Sequence, residues 1–264
     1  MATTAISPGR RSFVVVWAAL CSVAALSAAV LFSMIAGTSE PAETPMQDMD
    51  ASMDSTPMPP IGVWPFLAMW VLMMTAMMLP SVAPVAVSYL RAVGARGRTL
   101  AQAGHVVGLV GGYLLVWAAV GLPAFGADRA FAALAEPSAQ TLVWLQVGVL
   151  VVAGGYQFSS LKDRCLSHCR SPLSVLLHLG GFRGRGRDVR AGAWHGGYCV
   201  GCCWSLMLVL VAVGVMNVIW MAVLAAVVFT EKNWFHGRRF SRIVGGGLLV
   251  FAVLLPFQPA LAGM

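Results

Sequence analysis

The sequence predicts an all-α fold, a polytopic membrane helical bundle of about seven transmembrane helices, and three observations carry that expectation. The chain is 59% hydrophobic and only 10% charged, where a soluble domain carries about 25% charged residues. Several apolar runs reach the roughly 18 residues that cross a hydrocarbon core of about 30 Å, and lipid leaves such segments no choice but to be helical. The charges are also sorted by loop. With the N-terminus in the cytoplasm, every Lys and Arg except Arg129 falls on the cytoplasmic side, and seven of the ten acids fall outside. That asymmetry is the positive-inside pattern. It accounts for the net charge of +7 by topology, so the expected partner is the lipid bilayer and not nucleic acid.

The first span, 13–36, follows Arg10 and Arg11. Its apolar run is longer than the roughly 7–15 residues of a signal h-region. Residues 1–36 therefore read as a retained N-terminal anchor helix; the rival reading is a cleaved signal, which leaves six helices. Residues 37–60, "GTSEPAETPMQDMDASMDSTPMPP", are acidic and proline-rich. They read as an outer, disordered, Met/Asp-rich linker. Its Met46, Met49, Met53 and Met58 have no core to fill there, and with Asp48, Asp50 and Asp54 they would collect a soft cation weakly.

Residues 61–264 form the membrane helical domain, with spans expected at 62–88, 100–122, 140–161, 196–215, 218–236 and 243–260. The span 62–88 contains "AMWVLMMTAMMLPSVAP". Met69, Met73 and Met77 recur every four residues, as do Met74 and Met78, and thioethers are ligands for soft Cu(I). The same stripe also serves as ordinary apolar packing. Pro80 and Pro84 are expected to interrupt this helix and free backbone carbonyls. Between the fourth and fifth spans lies a long basic cytoplasmic loop, 162–195. His105 and Trp117 in the third span, and His178 in that loop, have no evident partner. His195, just before the fifth span, could reach the cysteine site, but reads rather as an interfacial histidine open to solvent.

The cysteines carry the chemistry. Cys21 is alone in the first span and reads as a small apolar filler. The others fall in two groups, "KDRCLSHCR" with Cys165, His168 and Cys169, and "CVGCC" with Cys199, Cys202 and Cys203. Both lie on the cytoplasmic side, where thiols stay reduced and more often bind metal or run redox chemistry than form structural disulfides. Cys165 and Cys169 are one helical turn apart, as are Cys199 and Cys203, and Cys199-x-x-Cys202 has the spacing of a metal-binding pair. Four thiolates would suit zinc or an iron–sulfur centre, fewer soft sulfurs Cu(I). Packing cysteines at a helix interface are the plain alternative.

Depth adds candidates. Cys203 and Glu231 each lie 14 residues from Asn217, at the turn of a tight hairpin, so both sit about 21 Å from the outer surface. Met78 lies at a similar depth. A carboxylate there usually faces the interior and carries function. Glu231, with Lys232, is therefore expected to look toward the thiols as a ligand, a proton relay or a salt-bridge partner, or else to be an interfacial pair reaching water.

The stretches "MWVLMMTAMMLP", "LKDRCLSHCRSP", "GGYCVGCCWSLM", "GVMNVIWM" and "TEKNW" resemble a bacterial family of predicted metal-binding integral membrane proteins, domain of unknown function 2182, over roughly residues 62–240. The resemblance implies a multi-helix fold and a metal role in the bacterial inner membrane.

The leading functional expectation is a membrane metal-binding protein for a soft or borderline cation, copper first and zinc second, in transport, trafficking or delivery. Its ligand set is Cys165, Cys169, Cys199, Cys202 and Cys203, with His168, Met77, Met78 and Glu231 close by. The chain shows no ATP-driven engine. The alternative is a membrane oxidoreductase dependent on thiols or metal, since paired thiols also support thiol–disulfide exchange. An assembly factor for a larger membrane complex is a third reading.

Overall fold

A computed structural model describes residues 8–37, 62–93, 99–135, 138–170, 184–213 and 217–257. It contains eight α-helices among these residues: α1 Pro8–Gly37, α2 Val63–Ala92, α3 Thr99–Ala135, α4 Ala139–Tyr156, α5 Ser160–Arg170, α6 Arg187–Val213, α7 Val218–Asn233 and α8 Gly237–Leu254. A short 3-10 turn, Leu255–Phe257, follows. The fold is all-α, as the composition predicts. The 38–60 linker with its four methionines, the loop residue His178, and Met216 at the α6–α7 turn lie outside the described residues.

Seven spans are not all found among the described residues. There, five helices are long and apolar enough to cross a membrane, and six if α4 and α5, bent by 64° at their junction, count as one span. The hairpin's second arm, α7, has 16 residues, about 24 Å of helix, short of the hydrocarbon thickness of about 30 Å.

Two further expectations give way. Pro80 and Pro84 lie inside an unbroken α2. Hydroxyls nearby bond backbone carbonyls of the same stretch: Ser81 Oγ donates to Met78 O at 2.7 Å and Ser88 Oγ to Pro84 O at 2.8 Å. These are not the carbonyls of Ala76 and Pro80, which the missing proline N–H groups still leave without helical donors. The supposed loop 162–195 is largely helical at both ends, since α5 occupies its start and α6 begins at Arg187. Asp188 in the first turn of α6 favours a helix start there. It also accepts from Tyr89 Oη and pairs with His105 Nδ1 at 3.0 Å. His105 thus has the partner that the sequence did not show.

The bundle is organised around α6, which packs against α3, α4, α5 and α7. Its closest neighbour is α3, for a specific reason. Gly108 and Gly112 on α3 face Gly192 and Gly196 on α6, two Gly-x-x-x-Gly pairs of the kind that let membrane helices approach backbone to backbone. A Cβ on Gly112 would lie 2.0 Å from Val189 O, and one on Gly192 would lie 1.9 Å from Leu109 O. Against this pair stand α2 with its buried Trp70, Met73, Met74 and Met78, then α7. On the other flank, α8 meets α4, where a Cβ on Gly245 would be 2.6 Å from Gln157 Cβ. Asn217 caps α7, its Oδ1 accepting from Trp220 N at 3.2 Å.

Candidate metal centre

Cys199, Cys202 and Cys203 occupy helical positions i, i+3 and i+4, so one face of α6 presents all three. Their sulfurs lie within 4.8 Å of one another, and Cys202 and Cys203 Sγ are 3.2 Å apart. The three are 0–1% exposed. Cys202 Sγ also donates to the Cys199 carbonyl at 3.1 Å. Taking a metal–sulfur bond of about 2.3 Å, three sulfurs around one ion form a triangle with edges of about 4.0 Å. The Cys202–Cys203 separation is shorter than that and none exceeds 4.8 Å, so the donor set fits a soft ion with small side-chain adjustments.

The second cysteine group reaches the same face from α5. Cys169 Sγ lies 3.9 Å from Cys202 Sγ and is half-buried. Cys165, one turn earlier, is buried against Gly201, where an added Cβ would lie 2.7 Å from its sulfur. The bend after α4 makes this possible by laying α5 across α6. Ser159 caps α5, its Oγ accepting from Lys162 N at 3.1 Å. At the far end, Arg170 donates to the carbonyls of Trp234 and Phe235.

Cys199 is the most heavily partnered thiol. Lys232 Nζ donates to its sulfur at 2.9 Å, and Tyr113 Oη lies 2.9 Å from the same atom. The ammonium also approaches Ser81 Oγ at 3.4 Å and Met78 Sδ at 3.8 Å. Side chains from α3 and α7 thereby converge on one sulfur of α6, and two from α2 meet the ammonium beside it. Met78 belongs to this group. Met77 faces elsewhere, into a small apolar cleft with Leu31, Phe32 and Met221.

Glu231 is turned away from the thiols. Its carboxylate pairs with Lys162 Nζ at 2.9 and 3.1 Å, and the two side chains are 1% and 0% exposed. Gln157 Oε1 completes that network, accepting from Lys162 and from Ser241 Oγ at 2.9 Å. The pair is thus internal and does not reach water. His168 stacks on Tyr198 at 4.4 Å and 11°, beside Trp194, in an aromatic group and not among the trio. His195 is buried, contrary to its reading as a solvated residue, and its ring lies 6.0 Å from that of Tyr113. It sits two turns inside α6 because that helix begins early. Trp117 is also buried, its carbonyl accepting from Trp70 Nε1 at 3.0 Å.

Of the expected Glu231–Lys232 pair, Lys232 is the member that meets the thiols. Tyr113 is the contact that sequence reasoning did not assign to the site; a phenol in the middle of an apolar span was the available signal.

A family model described as PpoB2, copper chaperone, matches residues 67–255. No curated protein and no solved structure matches the chain.

Proposed function

This chain belongs to the PpoB2 copper chaperone family, and from that premise we propose that it holds Cu(I) within the membrane on Cys199, Cys202 and Cys203 and delivers it to an acceptor. The observation that carries the reading is three buried sulfurs within 4.8 Å of one another in a chain whose family is defined by copper. Soft thiolates select Cu(I) over harder ions, and a three-sulfur set suits it better than the tetrahedral four-sulfur set typical of zinc. Met78 supplies a thioether at the margin of the site. Lys232 supplies positive charge against a centre that three thiolates make strongly negative. Zinc is the second choice of metal.

The resemblance to domain of unknown function 2182 over 62–240 overlaps the matched stretch, and we read both as describing one membrane domain. The same reading places the cysteine end of the bundle at the cytoplasmic side of a bacterial inner membrane, supported by the basic residues near it, among them Arg170, Arg238 and Arg239.

The test is elemental analysis of the detergent-purified full chain after anaerobic loading with Cu(I). Wild type should retain stoichiometric copper, and the Cys199→Ser/Cys202→Ser variant should lose it. Wild type that retains zinc in preference to copper would refute the metal assignment. Wild type that binds no metal, while its thiols cycle reversibly between oxidised and reduced forms, would favour the oxidoreductase.

A further inference from the structure

We infer that Cys169 is the exchange ligand of the centre, the thiol through which copper enters and leaves the buried trio; the inference rests on the copper reading above. Four observations point the same way. The trio is sealed, at 0–1% exposure, so an external donor or acceptor has no direct path to it. Cys169 alone of the clustered sulfurs combines partial exposure with contact to the trio. Its 3.9 Å separation from Cys202 Sγ matches the edge of about 4.0 Å that two sulfurs sharing one ion require, so an ion can bond both without helix movement. Finally, α5 is pinned on both sides of the thiol, by the Lys162–Glu231 pair and by Arg170 on the Phe235 carbonyl at 3.0 Å. The exchange thiol is held in reach and does not have to search for its partner.

The sulfurs are thereby ordered. Cys169 lies at the rim, Cys202 bridges, and Cys199 is anchored deepest by Lys232 and Tyr113. On loading, a Cu–S bond forms to Cys169 as the bond to the donor's ligand breaks, and the thiol proton of Cys169 leaves to solvent. A Cu–S bond then forms to Cys202 as the bond to Cys169 breaks and the Cys202 thiol proton passes to Cys169; bonds to the Cys199 sulfur, held by Lys232, and to Cys203 complete the three-sulfur site as the Cys203 proton leaves to solvent. Copper stays Cu(I) throughout, so no oxidant or reductant takes part. Release is the reverse sequence.

The experiment follows Cu(I) leaving the loaded, detergent-purified full chain for a water-soluble Cu(I) chelator, by absorbance. Cys169→Ser should keep stoichiometric copper yet release it more slowly, by about tenfold or more, since a pre-positioned ligand is replaced by a bimolecular encounter. Cys169→Met, which keeps a soft donor, should recover part of the rate, and Cys21→Ser, outside the cluster, should leave it unchanged. Brief treatment of loaded wild type with a bulky maleimide should modify Cys169, slow release and leave bound copper in place, a readout that needs no substitution. Equal rates in wild type and Cys169→Ser would overturn the inference. So would loss of copper from Cys169→Ser to the extent seen in Cys199→Ser/Cys202→Ser, which would make Cys169 a resident ligand. Failure of wild type to bind copper would instead refute the reading beneath it.

Discussion

Gly192→Ala tests whether the α3–α6 contact shapes the metal centre. A methyl group there would lie 1.9 Å from Leu109 O and 2.9 Å from Tyr113 N. Real side-chain carbons keep at least 3.0 Å from such atoms, so the two backbones must part by about 1.1 Å, the difference between 3.0 and 1.9 Å. Both neighbours are backbone atoms in the middle of a helix and cannot rotate away. Overpacking of this kind costs typically 1–3 kcal/mol. Carried two turns along α6, the same shift stretches the Tyr113 Oη–Cys199 Sγ contact from 2.9 Å to about 4 Å, outside hydrogen-bond reach. The control is Gly197→Ala on the same helix, where an added Cβ meets nothing within 4 Å and alanine gains about 0.5–1 kcal/mol over glycine in a helix. Thermal unfolding in detergent, followed by circular dichroism, should place Gly192→Ala below wild type and Gly197→Ala level with it or above. Gly192→Ala should also expose Cys199 to thiol reagents. If Gly192→Ala melts no lower than Gly197→Ala, α3 and α6 do not meet backbone to backbone at Gly192.

Two other substitutions probe the buried charges. Glu231→Gln leaves Lys162 buried without its counter-ion and should cost about 3–5 kcal/mol, whereas Lys162→Met with Glu231→Leu should recover most of that loss; thermal unfolding of single and double variants that is simply additive would show no coupling. Lys232→Met removes a charged hydrogen bond of about 1.5–3 kcal/mol from Cys199, so Cu(I) affinity should fall roughly 10- to 100-fold. Lys232→Arg should retain more of it, and competition titration against a Cu(I) chelator measures both. Undiminished affinity in Lys232→Met would remove the lysine from the site.

The helical class and the meeting of two cysteine groups were legible in the sequence because each rests on a robust regularity. Apolar length indicates a span, and four-residue spacing places Cys199 with Cys203 and Cys165 with Cys169. Azimuth was not legible. Counting residues from Asn217 put Glu231 at thiol depth, but adjacent helical residues point about 100° apart, so depth alone could not say whether Glu231 or Lys232 meets the sulfur. Lys232 does, and Glu231 turns to Lys162. The same ambiguity separates Met78, near the lysine, from Met77, in a different cleft. Charge misled at 162–195, where Arg187, Asp188 and Arg190 read as a solvated loop yet form the first turn of α6. Gly108-x-x-x-Gly112 and Gly192-x-x-x-Gly196 were visible as a spacing, but their mutual facing depends on which helices become neighbours.

The buried charges bear on the choice of metal. Lys162 and Glu231 balance each other at 2.9 Å. Lys232 forms no ion pair with a carboxylate among the contacts described, since the neighbouring Glu231 turns to Lys162; its short contact is the sulfur of Cys199. A buried cation is costly unless a counter-charge accompanies it, and here a thiolate supplies that charge. A neutral apolar cysteine cluster would give the chain no reason to keep an ammonium in that position. Cys199 is thus placed to carry one negative charge before any ion arrives. With Cu(I), three thiolates leave two net negative charges, and Lys232 offsets one of them. With Zn(II), a fourth sulfur would be drawn in to complete a tetrahedron, and Cys169, 3.9 Å from Cys202, is the nearest candidate. Whether Cys169 exchanges or resides therefore bears on the metal as well as on the route, because a centre that releases its rim thiol is a three-sulfur centre, and that geometry favours the monovalent ion.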